Sequence, residues 1–233
     1  MKNLEKITVI IPSMNRQKYA LSTLKYWSDF NVNVHLVDGS ATPISVEKIK
    51  DLNSKVFYHH IKILSELERI KKIVNLINTP YVILSSDDDI LLPNALNNCV
   101  NELEVHTDYA SCFGQVVGFK HIEDEANFYN KYSELYNYSI ISSDREKRLM
   151  QHMRNYIPSI ILSVIRTDIF KLIFNSNNSS KISSLAPESH FASFELRTSL
   201  LVTYCGKSKV LPNLLMLRNE NNKGVRARTQ KNT

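Results

Sequence analysis

The chain has 233 residues, 43% of them hydrophobic and 22% charged, with a formal net charge of +6. That length suits one large domain, or a domain with a small addition, and the composition fits a soluble globular protein. No run of about 18 apolar residues is present to form a spanning helix, and three scattered cysteines (Cys99, Cys112, Cys205) argue against a zinc site or a disulfide framework.

The first apolar run, "ITVII" before Pro12, is too short for a secretory signal. It reads as the first, buried strand of a cytoplasmic protein. "QKYALSTLKYWSDF" has helical spacing, and "NVNVHLVDGS" alternates before a turn at Asp38-Gly39-Ser40. A helix is expected around "ISVEKIKDL" and a third strand at "SKVFYHH". "LSELERIKKIVNLIN" predicts an amphipathic helix with Leu67, Ile70, Val74 and Ile77 on one face. Thr79-Pro80 ends it, and "YVILSS" is a fourth buried strand. Alternating strands and helices predict an α/β fold, with a mainly parallel central sheet flanked by helices.

Pro93 marks a helix start for "NALNNCVNELEVH", and "YASCFGQVVGF" is another strand. "KHIEDEANFYNKYSELYNYS" shows little period and reads as a loop excursion, whose tyrosines Tyr129, Tyr132, Tyr136 and Tyr138 suit either sugar stacking or packing. "DREKRLMQHMRN" is helical, "PSIILSVIR" a strand and "TDIFKLIF" a short helix. "PESHFASFELRTSLLVTYCG" is a helix opened by Pro187 and closed by Gly206. "KSKVLPNLLMLRN" closes with strand-like pieces. From Arg218 to Thr233 there are five Lys/Arg against one Glu, a basic tail suited to a solvated end, to acidic lipid headgroups or to nucleic acid.

Ligands of an open parallel sheet bind off the carboxyl ends of its strands. Three such ends carry polar residues: Pro12 to Arg16, Asp38 to Ser40, and Ser85 to Asp89. Three consecutive aspartates repel one another unless a positive charge sits among them. They suit a hard divalent cation, Mn²⁺ or Mg²⁺, or else one of them caps the following helix. No GxxxxGK[ST] or GxGxxG is present, and five glycines in all disfavour a dinucleotide-binding domain. A nucleic-acid partner is not expected, because no recognised motif accompanies the basic charge.

"TVIIPSMNR", "HLVDGS", "YVILSSDDDILLPNAL" and the late "FELRTSLLVTYCGKSKVLPNLLMLR" occur in an order that resembles inverting glycosyltransferases of family 2. The resemblance runs from Ile7 to Arg218 and implies the GT-A fold, with a DXD motif. It implies one domain over 1–217, divided into a nucleotide-sugar half (1–106) and an acceptor half (107–217), then a flexible tail (218–233). It further implies a hexosyl transfer, with inversion, from a nucleotide-sugar such as a UDP-sugar to a glycan or lipid-linked acceptor. The setting would be bacterial surface polysaccharide synthesis, in the cytoplasm or peripherally at the inner membrane face. A catalytically inactive nucleotide-binding relative is the first alternative, and a basic nucleic-acid-binding domain the weaker second one.

Carried over residue by residue, Pro12, Ser13, Asn15 and Arg16 resemble the loop bordering the nucleotide, and Asp38 the residue holding the base. Arg69, Lys71 or Lys72 falls where a basic residue lies near the diphosphate. Asp87 and Asp88 resemble the carboxylates facing ribose and metal; Asp89 is a second metal ligand or a cap. The family's late acidic pair, about a dozen residues before a glycine, lands on Phe194-Glu195. Its first acid is therefore absent. Glu195 is the candidate base, with Glu188 as rival.

Overall fold

The computed structural model describes residues 2–62, 65–123, 125–175 and 187–221, with 187–191 as backbone only. The first four strands, β1 (Ile7–Ser13), β2 (Asn33–Asp38), β3 (Val56–His60) and β4 (Tyr81–Leu84), lie parallel in the order β3-β2-β1-β4. β1 is central, and Ile7, Val9, Ile10 and Ile11 are all buried, so it has no wet face. That continuous apolar run, with no alternation, is what a strand covered on both sides requires. Its register sets Ser13 beside Asp38. A backbone bond from Ser85 N–H to Ile10 O carries the β1–β4 ladder one residue past Leu84.

Helix α1 (Gln17–Ser28) buries Ala20, Leu24 and Trp27, one helical stripe. Helix α2 (Glu66–Ile73) begins where Ser65 accepts the Glu68 N–H, and it tightens into a 3₁₀ turn at Val74–Leu76. The helix expected around "ISVEKIKDL" is only a 3₁₀ turn, Val46–Lys48. None of those three residues is buried, so no apolar face draws a longer helix onto the sheet.

After the aspartates come a two-residue strand β5 (Ile90–Leu91) and helix α3 (Pro93–Val105), with Pro93 in its first turn. Beyond it are β6 (Tyr109–Ile122), β7 (Glu125–Lys131), α4 (Arg145–Arg154), β8 (Val164–Arg166), α5 (Thr167–Asn175), α6 (Pro187–Cys205) and β9 (Lys207–Asn219). Among the described residues nine strands make one sheet, β3-β2-β1-β4-β8-β6-β9-β5, with β7 attached to β6. The parallel character holds for the first four strands and for β6–β9, while β4–β8, β6–β8, β5–β9 and β6–β7 are antiparallel.

Three expectations are corrected. The excursion after Phe119 is a β-hairpin: β6 continues to Ile122 and β7 returns along it from Ile122↔Glu125 to Val116↔Lys131. β7 is exposed along nearly its whole length, so it shows no inward-outward alternation to read. "PSIILSVIR" is a 3₁₀ turn at Ile160–Leu162 followed by a three-residue strand. The tail does not begin at 218, since β9 runs to Asn219 and Glu220 pairs with Lys131 at 2.8 Å; residues 222–233 lie outside the described ones. Helix α6 spans Pro187–Cys205 as its punctuation predicts. Buried Arg148 of α4 closes its end, donating Nε–H to Thr203 O and Nη2–H to Tyr204 O, a cation at a helix C-terminus.

Candidate active site

Because β2, β1 and β4 are parallel neighbours, their carboxyl ends and following loops lie side by side. The loop after β1 bends at Asn15, whose φ of 57° lies in the left-handed region asparagine tolerates. Asn15 N–H donates to Ser40 Oγ at 2.8 Å, and Gly39 N–H to Ser13 O at 2.9 Å. These bonds tie the first two loops together.

Asp38 is buried at the end of β2. Its Oδ1 accepts the Ser40 N–H and its Oδ2 the Tyr58 hydroxyl, both at 2.8 Å. Tyr58 Oη in turn accepts the Ile44 N–H, and chiefly burial pushes its pKa up to about 12. Arg69 reaches the same turn from α2 and is only 3% exposed. A Cβ on Gly39 would fall 1.7 Å from Arg69 Nη1, so the guanidinium occupies the room a side chain would need. Burial lowers the Arg69 pKa against the opposing charges of Glu66 and Asp38. Burial likewise raises that of Glu66, which feels Arg69 favourably and Asp87 unfavourably.

Asp87 is buried, and the Asp88 carboxylate is nearly so. Ser13 Oγ donates to Asp87 Oδ2 at 2.6 Å, and Thr23 Oγ1 donates to the Asp87 carbonyl at 2.7 Å. Arg16 lies between the two carboxylates, with Nε 3.1 Å from Asp87 Oδ1 and Nη2 2.5 Å from Asp88 Oδ2. Its guanidinium also covers the Tyr19 ring, 4.7 Å from the centroid. Ser86 Oγ donates to Asp88 Oδ1. Burial raises the Asp87 pKa; Ser13 and Arg16 oppose that rise, and Asp88 adds to it. Burial also disfavours the charge on Arg16, but its bond to Asp88 and both carboxylate charges hold its pKa above the usual arginine value.

Asp89 turns elsewhere. Its Oδ1 accepts the Asn219 N–H of β9 at 3.0 Å, and burial chiefly pushes its pKa up to about 6. It does not cap α3, whose N-cap is Leu92, with β5 in between. Lys71 and Lys72 are exposed, so of the three basic candidates only Arg69 is buried against the cluster. Pro12 stays within β1, paired to Val37.

Glu195 is half-buried on α6, and its Oε1 accepts the Tyr156 hydroxyl at 2.7 Å. None of its described contacts reaches Asp87 or Asp88. The Glu188 side chain lies outside the described residues. Among those residues no three His, Cys, Asp or Glu side chains gather as a metal site. The donor set that fits a divalent ion is the Asp87–Asp88 pair, whose oxygens already converge on one cation, Arg16. Phosphate oxygens would complete such a shell.

Sequence reasoning missed Tyr58, Glu66 and Thr23. The strand alternation of "VFYHH" offered a signal for Tyr58, since Tyr58 shares a face with Val56 and His60. Nothing in the sequence separated Glu66 from Glu68, the other acid of α2.

A mixed sheet flanked by helices, with a parallel α/β half and acidic loops after β2 and β4, is a fold of the GT-A type. The chain belongs to glycosyl transferase family 2, whose family model matches residues 8–174. No curated protein matches it in sequence. Among solved structures it is similar to S. aureus TarS 1-349, with TM-score 0.62 and 14% identity over 91% of this chain and 60% of that one. TarS 1-349 in complex with UDP matches with TM-score 0.61 and 14% identity, over 91% and 60% of the two chains. The complex with UDP-GlcNAc gives 0.61 and 12%, over 93% and 59%. The chain thus spans about 60% of the length of those structures.

Proposed function

We propose that the chain transfers a hexosyl unit from a UDP-sugar to a hydroxyl of a glycan or lipid-linked acceptor, with inversion at the anomeric carbon. The observation that carries this reading is the meeting of Asp38, Arg16, Asp87 and Asp88 at the carboxyl ends of three neighbouring strands. Asp38 is fixed by two donors and keeps lone pairs for a base N–H. Asp87 faces the ribose, while Arg69 supplies positive charge toward the diphosphate. Asp88, with Asp87, would hold Mn²⁺ or Mg²⁺, which neutralises charge developing on the departing diphosphate, an effect worth several kcal/mol. Glu195, or Glu188 one to two turns earlier, takes the acceptor proton as the hydroxyl attacks; a base of this kind contributes about 10²–10⁴-fold. The UDP and UDP-GlcNAc complexes of the TarS structures support a UDP-linked donor. Among the described residues no helix is long and apolar enough to cross a membrane. We place the enzyme at the inner membrane face as a peripheral protein of surface polysaccharide synthesis.

Thermal unfolding with a panel of nucleotide-sugars, with and without Mn²⁺, tests this, since a ligand of the native state raises apparent stability. A UDP-sugar that stabilises only with Mn²⁺, and releases UDP when acceptor is added, supports the reading. No stabilisation by any nucleotide contradicts it. One observation favours a second reading, an inactive nucleotide binder: Phe194 stands at the first position of the expected acidic pair, and Tyr156 holds the remaining Glu195. Binding without release across an acceptor panel would establish that second reading.

A further inference from the structure

Arg16 is placed unlike a residue that merely borders a nucleotide. It is the last residue before α1, follows the left-handed Asn15, and makes no side-chain cap for the helix. Its guanidinium is instead given to both carboxylates of the candidate metal pair, at 3.1 Å from Asp87 and 2.5 Å from Asp88. Those are the oxygens a divalent ion would need. A guanidinium and a metal ion cannot share them at such distances, because two cations in one half-buried shell repel.

We propose that Arg16 is a resident cation that holds the Asp87–Asp88 pair in the donor-free enzyme and must leave for a divalent ion to enter. The inference rests on the reading of this pair as the metal and nucleotide-sugar site. Metal alone must displace a charge-assisted pair and leaves Arg16 without a counter-charge, so it binds weakly. Metal arriving with a nucleoside diphosphate brings an acceptor for the freed guanidinium, since phosphate oxygens suit its planar donors. The arrangement makes metal and donor mutually dependent ligands. It also keeps the adjacent carboxylates neutralised when no substrate is bound. Tyr19, under the guanidinium, supplies a face on which it can turn without losing all its packing.

Titration of the full chain with Mn²⁺, read by the electron paramagnetic resonance of the free ion, tests this in wild type, Arg16→Gln and Arg16→Lys, with and without UDP. Wild type is expected to bind Mn²⁺ weakly alone and much more tightly with UDP. Arg16→Gln should bind Mn²⁺ alone on the order of tenfold more tightly than wild type, the scale of one lost charge competitor in a half-buried site. Arg16→Gln should also lose most of the tightening by UDP, whereas Arg16→Lys should stay near wild type. Equal Mn²⁺ affinity of wild type and Arg16→Gln, with UDP tightening both, would overturn the resident-cation role while leaving the donor-site reading intact. Equal gains in Arg16→Gln and Arg16→Lys would make the effect one of shape and overturn it too. No Mn²⁺ binding in any form, even with UDP, would remove the metal reading and this inference together.

Discussion

In the first half of the sheet, the side chains of the candidate site touch one another directly. Ser13, Arg16, Asp87 and Asp88 form one bonded group; Asp38, the Ser40 N–H and Tyr58 form a second beside it, with Arg69 packed against the Gly39 turn. In the second half, Glu195 on α6 is held by Tyr156, and no described contact links that pair to the aspartates. On the proposed reading, the β1, β2 and β4 loops form the pre-shaped cradle that a nucleotide needs. An acceptor and its base must meet the donor from another direction, so their residues come from a different layer of the fold. The difference implies that substitutions in the first half change binding, and those around α6 change turnover.

The largest effect separates these two consequences. Glu195→Gln should keep Mn²⁺-dependent UDP binding and reduce transfer about 10²–10⁴-fold; steady-state kinetics beside calorimetry measures both. Full transfer would move the base to Glu188. A second effect concerns the β2–β3 edge of the sheet. Buried His35 on β2 stacks on His59 and bonds it at 3.0 Å, and burial lowers its pKa from 6.5 to about 4. Between those values the unfolded chain binds the proton and the folded chain does not. Stability therefore falls as pH drops from 6.5 toward 4, by roughly 3 kcal/mol at most. Urea unfolding at pH 4.5 and pH 7 should show this slope in wild type, and His35→Asn should flatten it.

Gly39→Ala drives a methyl into Arg69, 1.7 Å from Nη1. Overpacking of this kind costs about 1–3 kcal/mol, and UDP affinity should fall with it because Asp38 is the neighbouring residue. Urea unfolding and UDP calorimetry on one preparation check both. Smallest is Tyr58→Phe, which removes the hydroxyl between Asp38 and the Ile44 N–H. About 1 kcal/mol of stability is expected to go, with a loss of UDP affinity below that of Gly39→Ala and no specific loss of turnover of bound donor. A turnover defect in Tyr58→Phe would blur the division between the halves.

The division also explains what could be read from the sequence. Asp38, Asp87 and Asp88 were legible because each follows an apolar run whose end is marked locally. Helix α6 was legible from Pro187 and Gly206. The β6–β7 hairpin was not, because β7 is exposed on both faces and its turn runs through Glu123 at φ 57° with no glycine to mark it. Asp89 could not be separated from its neighbours by sequence, since its partner Asn219 lies 130 residues away. The same holds for Arg16, which was legible as a loop residue but not as the cation joining two carboxylates across the β1 and β4 loops.

On the proposed reading, the Asp87–Asp88 pair binds a nucleoside diphosphate through a divalent ion. Calorimetric titration of UDP into wild type and Asp88→Asn, each with Mn²⁺ and with chelator, tests it most directly. Wild type should bind UDP in a way that chelator abolishes, and Asp88→Asn should show no detectable Mn²⁺-dependent binding. Equal affinity of the two proteins with Mn²⁺ present would contradict it.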